Sequence, residues 1–156
     1  SNTIGDIRAK CRQLNQTHGL DLLIIDYLQL INTSNKVRHE GVSEISRSLK
    51  QMARELGVPV IALSQLSREV EKRDDKRPIM ADLRDSGSIE QDADIVMFLY
   101  REEYYSKEKD DKKDPNATEK TDVDIAKHRN GATAKIELAF QKSISAFFNI
   151  AKEGHS

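Results

Sequence analysis

An α/β fold, with a mostly parallel sheet flanked by helices and a C-terminal antiparallel hairpin, is predicted by three features of the 156-residue sequence. Short apolar runs alternate with amphipathic stretches, as in chains that pass repeatedly between strand and helix. The runs are nearly continuous in apolar residues, the pattern of parallel strands covered on both faces. Near the C-terminus, Asn130-Gly131 separates two stretches of alternating residues, the preferred dipeptide of a tight hairpin.

The elements follow in order. Ile4, Ile7, Cys11 and Leu14 share one helical face, opened by Thr3 with Asp6 three residues later and closed near Gly19. Leu20 to Ile25 is an apolar run ending in Asp26 and predicts a buried strand. Val42, Ile45, Leu49, Met52, Ala53 and Leu56 predict a second amphipathic helix, stopped by Gly57 and Pro59. A second strand is expected from Val60 to Leu63, ending at Ser64-Gln65. Residues 66–85 are highly charged and read as a long loop with one helical turn; Ser86 to Asp92 reads as a short helix and Ile95 to Tyr100 as a third buried strand. Residues 101–121 are a mixed-charge run nearly devoid of aliphatic residues, expected to be a mobile loop because it buries too little to offset ordering entropy. If Arg129 faces Ala132 across the hairpin, Lys127 faces Ala134, Ile125 faces Ile136 and Val123 faces Leu138, so the apolar pairs share a face and two cations project at the tip.

Composition narrows the function. A 37% hydrophobic content suits one modest core, and the whole chain, 1–156, is expected to be a single partial domain. No run approaches the roughly 18 apolar residues of a membrane span and no secretory leader is visible, so a soluble, cytoplasmic protein is expected. The start, Ser1-Asn2 without methionine, resembles a tag remnant and predicts a fragment. Cys11 is the sole cysteine, and His18, His39, His128 and His155 lie too far apart for a zinc spacing, so no structural metal is expected. The 25 basic and 26 acidic residues nearly cancel; any nucleic-acid contact must be local.

Polar residues at the carboxyl ends of the strands are the first candidates for chemistry, because open α/β sheets bind ligands there. Asp26 could hold a magnesium ion, and Gln65 could sense a phosphate or orient water. An aspartate at a strand end is equally a plain turn residue. In Asp82-Leu-Arg-Asp-Ser-Gly-Ser-Ile-Glu-Gln-Asp-Ala-Asp94, backbone N–H groups around Ser86 to Ser88 with Arg84 could receive a phosphate, or Ser88 and Gln91 could merely form a capping box. Lys127 and Arg129 are either solvated tip charges or a pair offered to a phosphate on a neighbouring subunit.

Leu23-Ile-Ile-Asp-Tyr-Leu-Gln-Leu30, Glu44-Ile-Ser-Arg-Ser-Leu-Lys50, Val58-Pro-Val-Ile-Ala-Leu-Ser-Gln-Leu-Ser-Arg68, Lys76-Arg-Pro78, the Asp82 to Asp94 block and Arg129-Asn-Gly131 occur in the order found in DnaB-family replicative helicases. The resemblance runs from Ile4 to about Phe148, with the Asp82 to Asp94 block its most specific part. It implies part of a RecA-like motor domain that assembles as a homo-hexameric ring, hydrolyses ATP between subunits and moves along single-stranded DNA, with primase and a helicase loader as possible partners. By position, Asp26 resembles the Walker B aspartate for Mg²⁺ and Gln65 the sensor of the γ-phosphate. Lys127 and Arg129 resemble the basic pair offered to the neighbour's nucleotide, and Arg84, Asp85, Ser86 and Gly87 the DNA-contacting loop.

Departures from the family also carry expectations. No G-x-x-x-x-G-K-[ST] pattern is present, and the family's catalytic glutamate has no counterpart, so the chain alone is expected not to hydrolyse ATP. The family's strand into that loop lies between the strands matched by Val60 and Ile95. Its absence predicts gap closure, strand exchange with another copy, or association in the crystal. Residues 101–121 are longer than in the family, and His128 stands where glutamine is common. Another RecA-like hexameric ATPase, such as a recombinase or a clock ATPase of the KaiC kind, and a non-catalytic binding module for a loader or primase are the alternatives.

Overall fold

The computed structural model describes residues 3–32, 38–105, 114 and 116–150, except for the side chains of 38–40 and 84–87. The chain divides into two compact units: residues 1–68 with 80–93, and residues 69–79 with 94–156. That division is finer than the single partial domain expected from sequence.

In the first unit, helix α1 (Ile4–Thr17) begins as predicted, with the Asp6 N–H donating to Thr3 Oγ1 at 3.2 Å and the Thr3 N–H to Asp6 Oδ2 at 3.3 Å. Two N–H groups that the helix leaves unpaired are thereby satisfied. Strand β1 (Leu23–Ile25) leads to helix α2 (Arg38–Leu56). Gly57 takes a positive φ of 65°, and the Val58 N–H reaches back to the Ala53 carbonyl at 3.1 Å, a helix stop that needs glycine's left-handed freedom. Strand β2 (Val60–Ala62) pairs with β1 in parallel, Ile25 opposite Ala62. Cys11, Ile25, Leu28, Ile31, Ile45, Leu49 and Met52 form the core between this sheet and the helices. Burial raises the Cys11 thiol pKa. Helix α3 (Gly87–Asp92) follows a 3-10 stretch, Met80–Ser86, and packs on α2.

The two-sided cover expected of the apolar strands is present on one side only. Leu23, Ile25 and Val60 meet the core, whereas Leu22, Ile24, Ile61 and Leu63 are exposed, Ile24 to 59%. Both strands are also shorter than expected from sequence.

The second unit contains strand β3 (Ile95–Tyr100), the helical turn α4 (Glu102–Tyr105), and strands β4 (Thr118–His128), β5 (Ala134–Gln141) and β6 (Ala146–Asn149), joined as an antiparallel sheet in the order β3-β4-β5-β6. The third strand therefore pairs with the hairpin, in a sheet separate from that of β1 and β2, rather than extending the parallel pair. β6 was not expected from sequence. The loop expected over 101–121 is narrower: α4 occupies its beginning and Thr118–Thr121 the start of β4, while 106–113 and 115 lie outside the described residues.

The hairpin forms in a register two residues away from the expected one, with Val123 opposite Ile136 and Ile125 opposite Ala134. Neither Asn130 nor Gly131 has the positive φ that a tight Asn-Gly turn needs. The reversal runs from His128 to Gly131, whose N–H lies 3.5 Å from the His128 carbonyl, so the turn comes one residue early. A two-residue shift keeps each side chain on its face, and the apolar residues still align.

Candidate functional site

Asp26 and Gln65 follow the two parallel strands, and their backbones are tied beyond the strand ends. The Leu63 N–H donates to the Ile25 carbonyl and the Leu28 N–H to the Leu63 carbonyl, both at 2.9 Å. Gln29 then clips the second segment: its Nε2 donates to Ser64 Oγ at 3.1 Å and to the Gln65 carbonyl at 3.2 Å, and its Oε1 accepts from the Gln65 N–H at 3.4 Å. Asp26 and Gln65 are exposed along this carboxyl edge, and the Asp26–Tyr27 peptide is cis. Gln29 is a site residue that sequence reasoning missed, although it lies in the quoted Leu23 to Leu30 motif.

The backbone of Arg84, Asp85 and Ser86 is 3-10, and Gly87 opens α3; the side chains of these four residues lie outside those described. The Asp82 carbonyl accepts from the Ser67 N–H at 3.2 Å, anchoring the segment's start. Ser88 lies inside α3 with a buried Oγ that makes no hydrogen bond, so it does not serve as the cap of a Ser88–Gln91 box.

Lys127 and Arg129 sit at the hairpin end in the second unit. The β3–β4 register jumps from Val96 opposite Lys127 to Met97 opposite Ile125, leaving Ala126 as the extra residue of a bulge. Bulges re-aim the side chains that follow them. Beyond it, the Arg129 N–H donates to the Asp94 carbonyl at 2.8 Å, and its Nη1 lies 3.0 Å from Asp94 Oδ1. The His128 ring lies over Gly131, where an added Cβ would collide with it, and its Nδ1 is 3.3 Å from the Ala132 carbonyl oxygen.

An open pocket at the carboxyl end of β3 was also missed. It is lined by Tyr100, Arg101, Tyr104, Phe140, Lys142 and Phe147, among others. The Arg101 guanidinium stands 4.8 Å from the Phe140 ring centre and 5.4 Å from that of Tyr104, within cation–π range. Buried Glu119 answers Lys142 and, at 3.6 Å, Arg101; its Oε2 and the Oγ1 of Thr121 are buried without hydrogen bonds. The strand-end rule applied to the first two strands would have found Arg101 had it been applied to the third.

On the other face of this sheet, Asp122 is buried beneath cations: its Oδ2 accepts from Arg77 at 2.8 Å and from Lys135 at 2.9 Å, with Lys120 3.9 Å from Oδ1. Burial pushes the carboxyl up, but the hydrogen bonds and charges of Lys135 and Arg77 outweigh it and hold the pKa below the ordinary aspartate value. Arg77 also stacks 4.4 Å above the Tyr100 ring, whose phenol is pushed up chiefly by burial.

Asp26 and Gln65 thus share one edge of the first unit, and Lys127 and Arg129 one end of the second.

Residues 1–149 match the family described as the DnaB-like helicase C terminal domain. The chain is 57% identical over 152 residues to the replicative DNA helicase DnaB of Geobacillus stearothermophilus and to the replicative DNA helicase DnaC of Bacillus subtilis, covering 96% of itself and 32% of each. It therefore spans about a third of the length of these curated relatives. Among solved structures it superposes, at TM-score 0.83 and 49% identity, on an ATPase domain and on a DnaB-like replicative helicase described with its interactions with primase, covering 52% and 36% of those chains. By sequence and by fold, the chain belongs to the DnaB-like helicase C terminal domain family.

Proposed function

We propose that the full-length protein carrying this sequence is a cytoplasmic replicative helicase, which unwinds duplex DNA by ATP-driven movement of a homo-hexameric ring along single-stranded DNA. The observation that carries the reading is the shared edge: β1 and β2 pair in parallel, so Asp26 and Gln65 both follow the carboxyl ends of neighbouring strands, where α/β sheets bind ligands. An exposed carboxylate suits a hydrated Mg²⁺, and an amide whose backbone is clipped by Gln29 suits a γ-phosphate. The magnesium ion would neutralise phosphate charge during transfer.

ATP finds only part of its site in this sequence. The residues fit an edge for magnesium and the γ-phosphate, not a phosphate cradle. Lys127 and Arg129 would act on the nucleotide of the adjacent subunit, as arginine fingers do. Arg84, Asp85, Ser86 and Gly87 would hold DNA through its phosphates and so without sequence preference. Primase and a helicase loader are the partners proposed.

In the full-length protein, Asp26→Asn and Gln65→Ala are each expected to lower ATP turnover by about a hundredfold or more, with nucleotide still bound, since both act on charge that develops during transfer. The 156-residue chain alone is expected to turn over none. Steady-state ATPase assays check this, and wild-type rates in both variants would sink the assignment of this edge.

A further inference from the structure

The residue that holds Arg129 is Asp94, and we propose that Asp94 is the positioning residue for this arginine. The inference rests on the reading of Arg129 as the group offered to a neighbouring nucleotide.

Two bonds join the same two residues. The Asp94 carbonyl fixes the Arg129 backbone at 2.8 Å, and the Asp94 carboxylate meets its guanidinium at 3.0 Å. The first bond continues the β3–β4 ladder by one step past Ile95 opposite His128, so it sets where the arginine leaves the sheet. The second sets where its side chain leads. Arg129 itself follows the bulge at Ala126, which bends the strand just before the tip, and lies within the His128 to Gly131 turn. A long side chain on a bent strand at a turn has many rotamers to lose, and one carboxylate contact removes most of that freedom before any phosphate arrives.

The magnitudes favour positioning over structural stability. Arg129 and Asp94 are 42% and 52% exposed, and an ion pair that open contributes little to folding. A guanidinium carries five N–H donors in a planar fork, so it can meet a carboxylate and a phosphate oxygen through different nitrogens. Asp94 is moreover the last residue of the Asp82 to Asp94 block, seven residues after Gly87 of the segment proposed to hold DNA.

The test uses the full-length protein. Asp94→Ala is expected to lower kcat for ATP hydrolysis about tenfold or more, as small misplacements of reacting groups do, with KM for ATP within about twofold and an unchanged melting temperature. Asp94→Asn keeps an acceptor oxygen at the same reach and is expected to restore most of kcat. Asp94→Lys, which repels the guanidinium from an exposed site that tolerates charge, is expected to lose at least as much as alanine. In an Arg129→Lys background, where the planar fork is gone, Asp94→Ala is expected to cost little more. Wild-type kcat in both the alanine and lysine variants, beside an inactive Arg129→Ala, would overturn the positioning role and leave the arginine's own role standing. An equal loss in the Arg129→Lys background would also overturn it, pointing to a structural contribution. Full turnover by Arg129→Ala would remove the reading of that arginine and this inference with it.

Discussion

Two carboxylates in the second unit use the same kinds of charge in opposite ways. In mid-β4, Asp122 is buried, with Arg77 and Lys135 bonded to one oxygen and Lys120 near the other. At the hairpin end, Arg129 leans on Asp94 with both side chains about half exposed. A buried carboxylate ringed by cations is expensive to disturb, because removing one partner strands the rest away from water. An exposed pair contributes little to folding, and its arginine can exchange one anion for another. The contrast teaches which charges build the domain and which are available for chemistry.

The sharpest way to break that contrast is Arg129→Ala in the full-length protein. Turnover is expected to fall by about a thousandfold or more, the scale of a lost arginine finger, with the melting temperature unchanged. Mixing this variant with subunits defective only in the phosphate-binding loop is expected to restore activity, since each mixed interface of the right order then holds one intact loop and one intact arginine. Mixed rings that stay inactive would show that Arg129 does not act across an interface.

The buried carboxylate is expected to answer in stability. Asp122→Ala leaves Arg77 and Lys135 without their shared acceptor; because both cations are partly exposed, the cost is expected to be about 2 kcal/mol rather than the larger figure of a fully buried pair. Urea unfolding of the 156-residue chain followed by tyrosine emission checks this, as Tyr100, Tyr104 and Tyr105 all belong to the second unit. An unchanged midpoint would mean that Asp122 carries no structural role.

Much of the local structure was legible in the sequence, for physical reasons that can be named. Thr3 with Asp6 and Gly57 before Pro59 are local signals, and the helix ends follow them. Asp26 and Gln65 share an edge because two apolar runs ending in polar residues, joined through a helix, make a parallel pair. The hairpin's faces were legible and its register was not, since alternation fixes parity alone and a shift of two leaves parity intact. The pairing of β3 with β4 was hidden as well, because an apolar run records how much cover it needs and not which strand supplies it. Leu22, Ile24, Ile61 and Leu63 keep a pattern suited to two-sided burial while one side stands open, in a chain that covers 52% of a related ATPase domain. Asp94, Arg77 and Arg101 act through partners distant in sequence, and single-sequence spacing carries no trace of such pairs.

The smallest expected effect tests the same contrast by pH. The Asp122 pKa is depressed in the folded chain by Lys135 and Arg77 acting against burial, while in the unfolded chain it returns to about 3.9. A depressed folded pKa means that the unfolded state binds the proton more readily, so the carboxylate's stabilisation is fully present above the unfolded value and fades as pH falls through the folded one. Asp122→Asn has no such proton to bind. The stability difference between wild type and Asp122→Asn is therefore expected to be constant above about pH 5 and to shrink steadily below about pH 4. Groups common to both chains largely cancel in the subtraction. A difference that holds constant down to pH 3, measured by urea titrations at successive pH values, would show that the cations around Asp122 do not favour its charged form, and the distinction between Asp122 and Asp94 would then rest on burial alone.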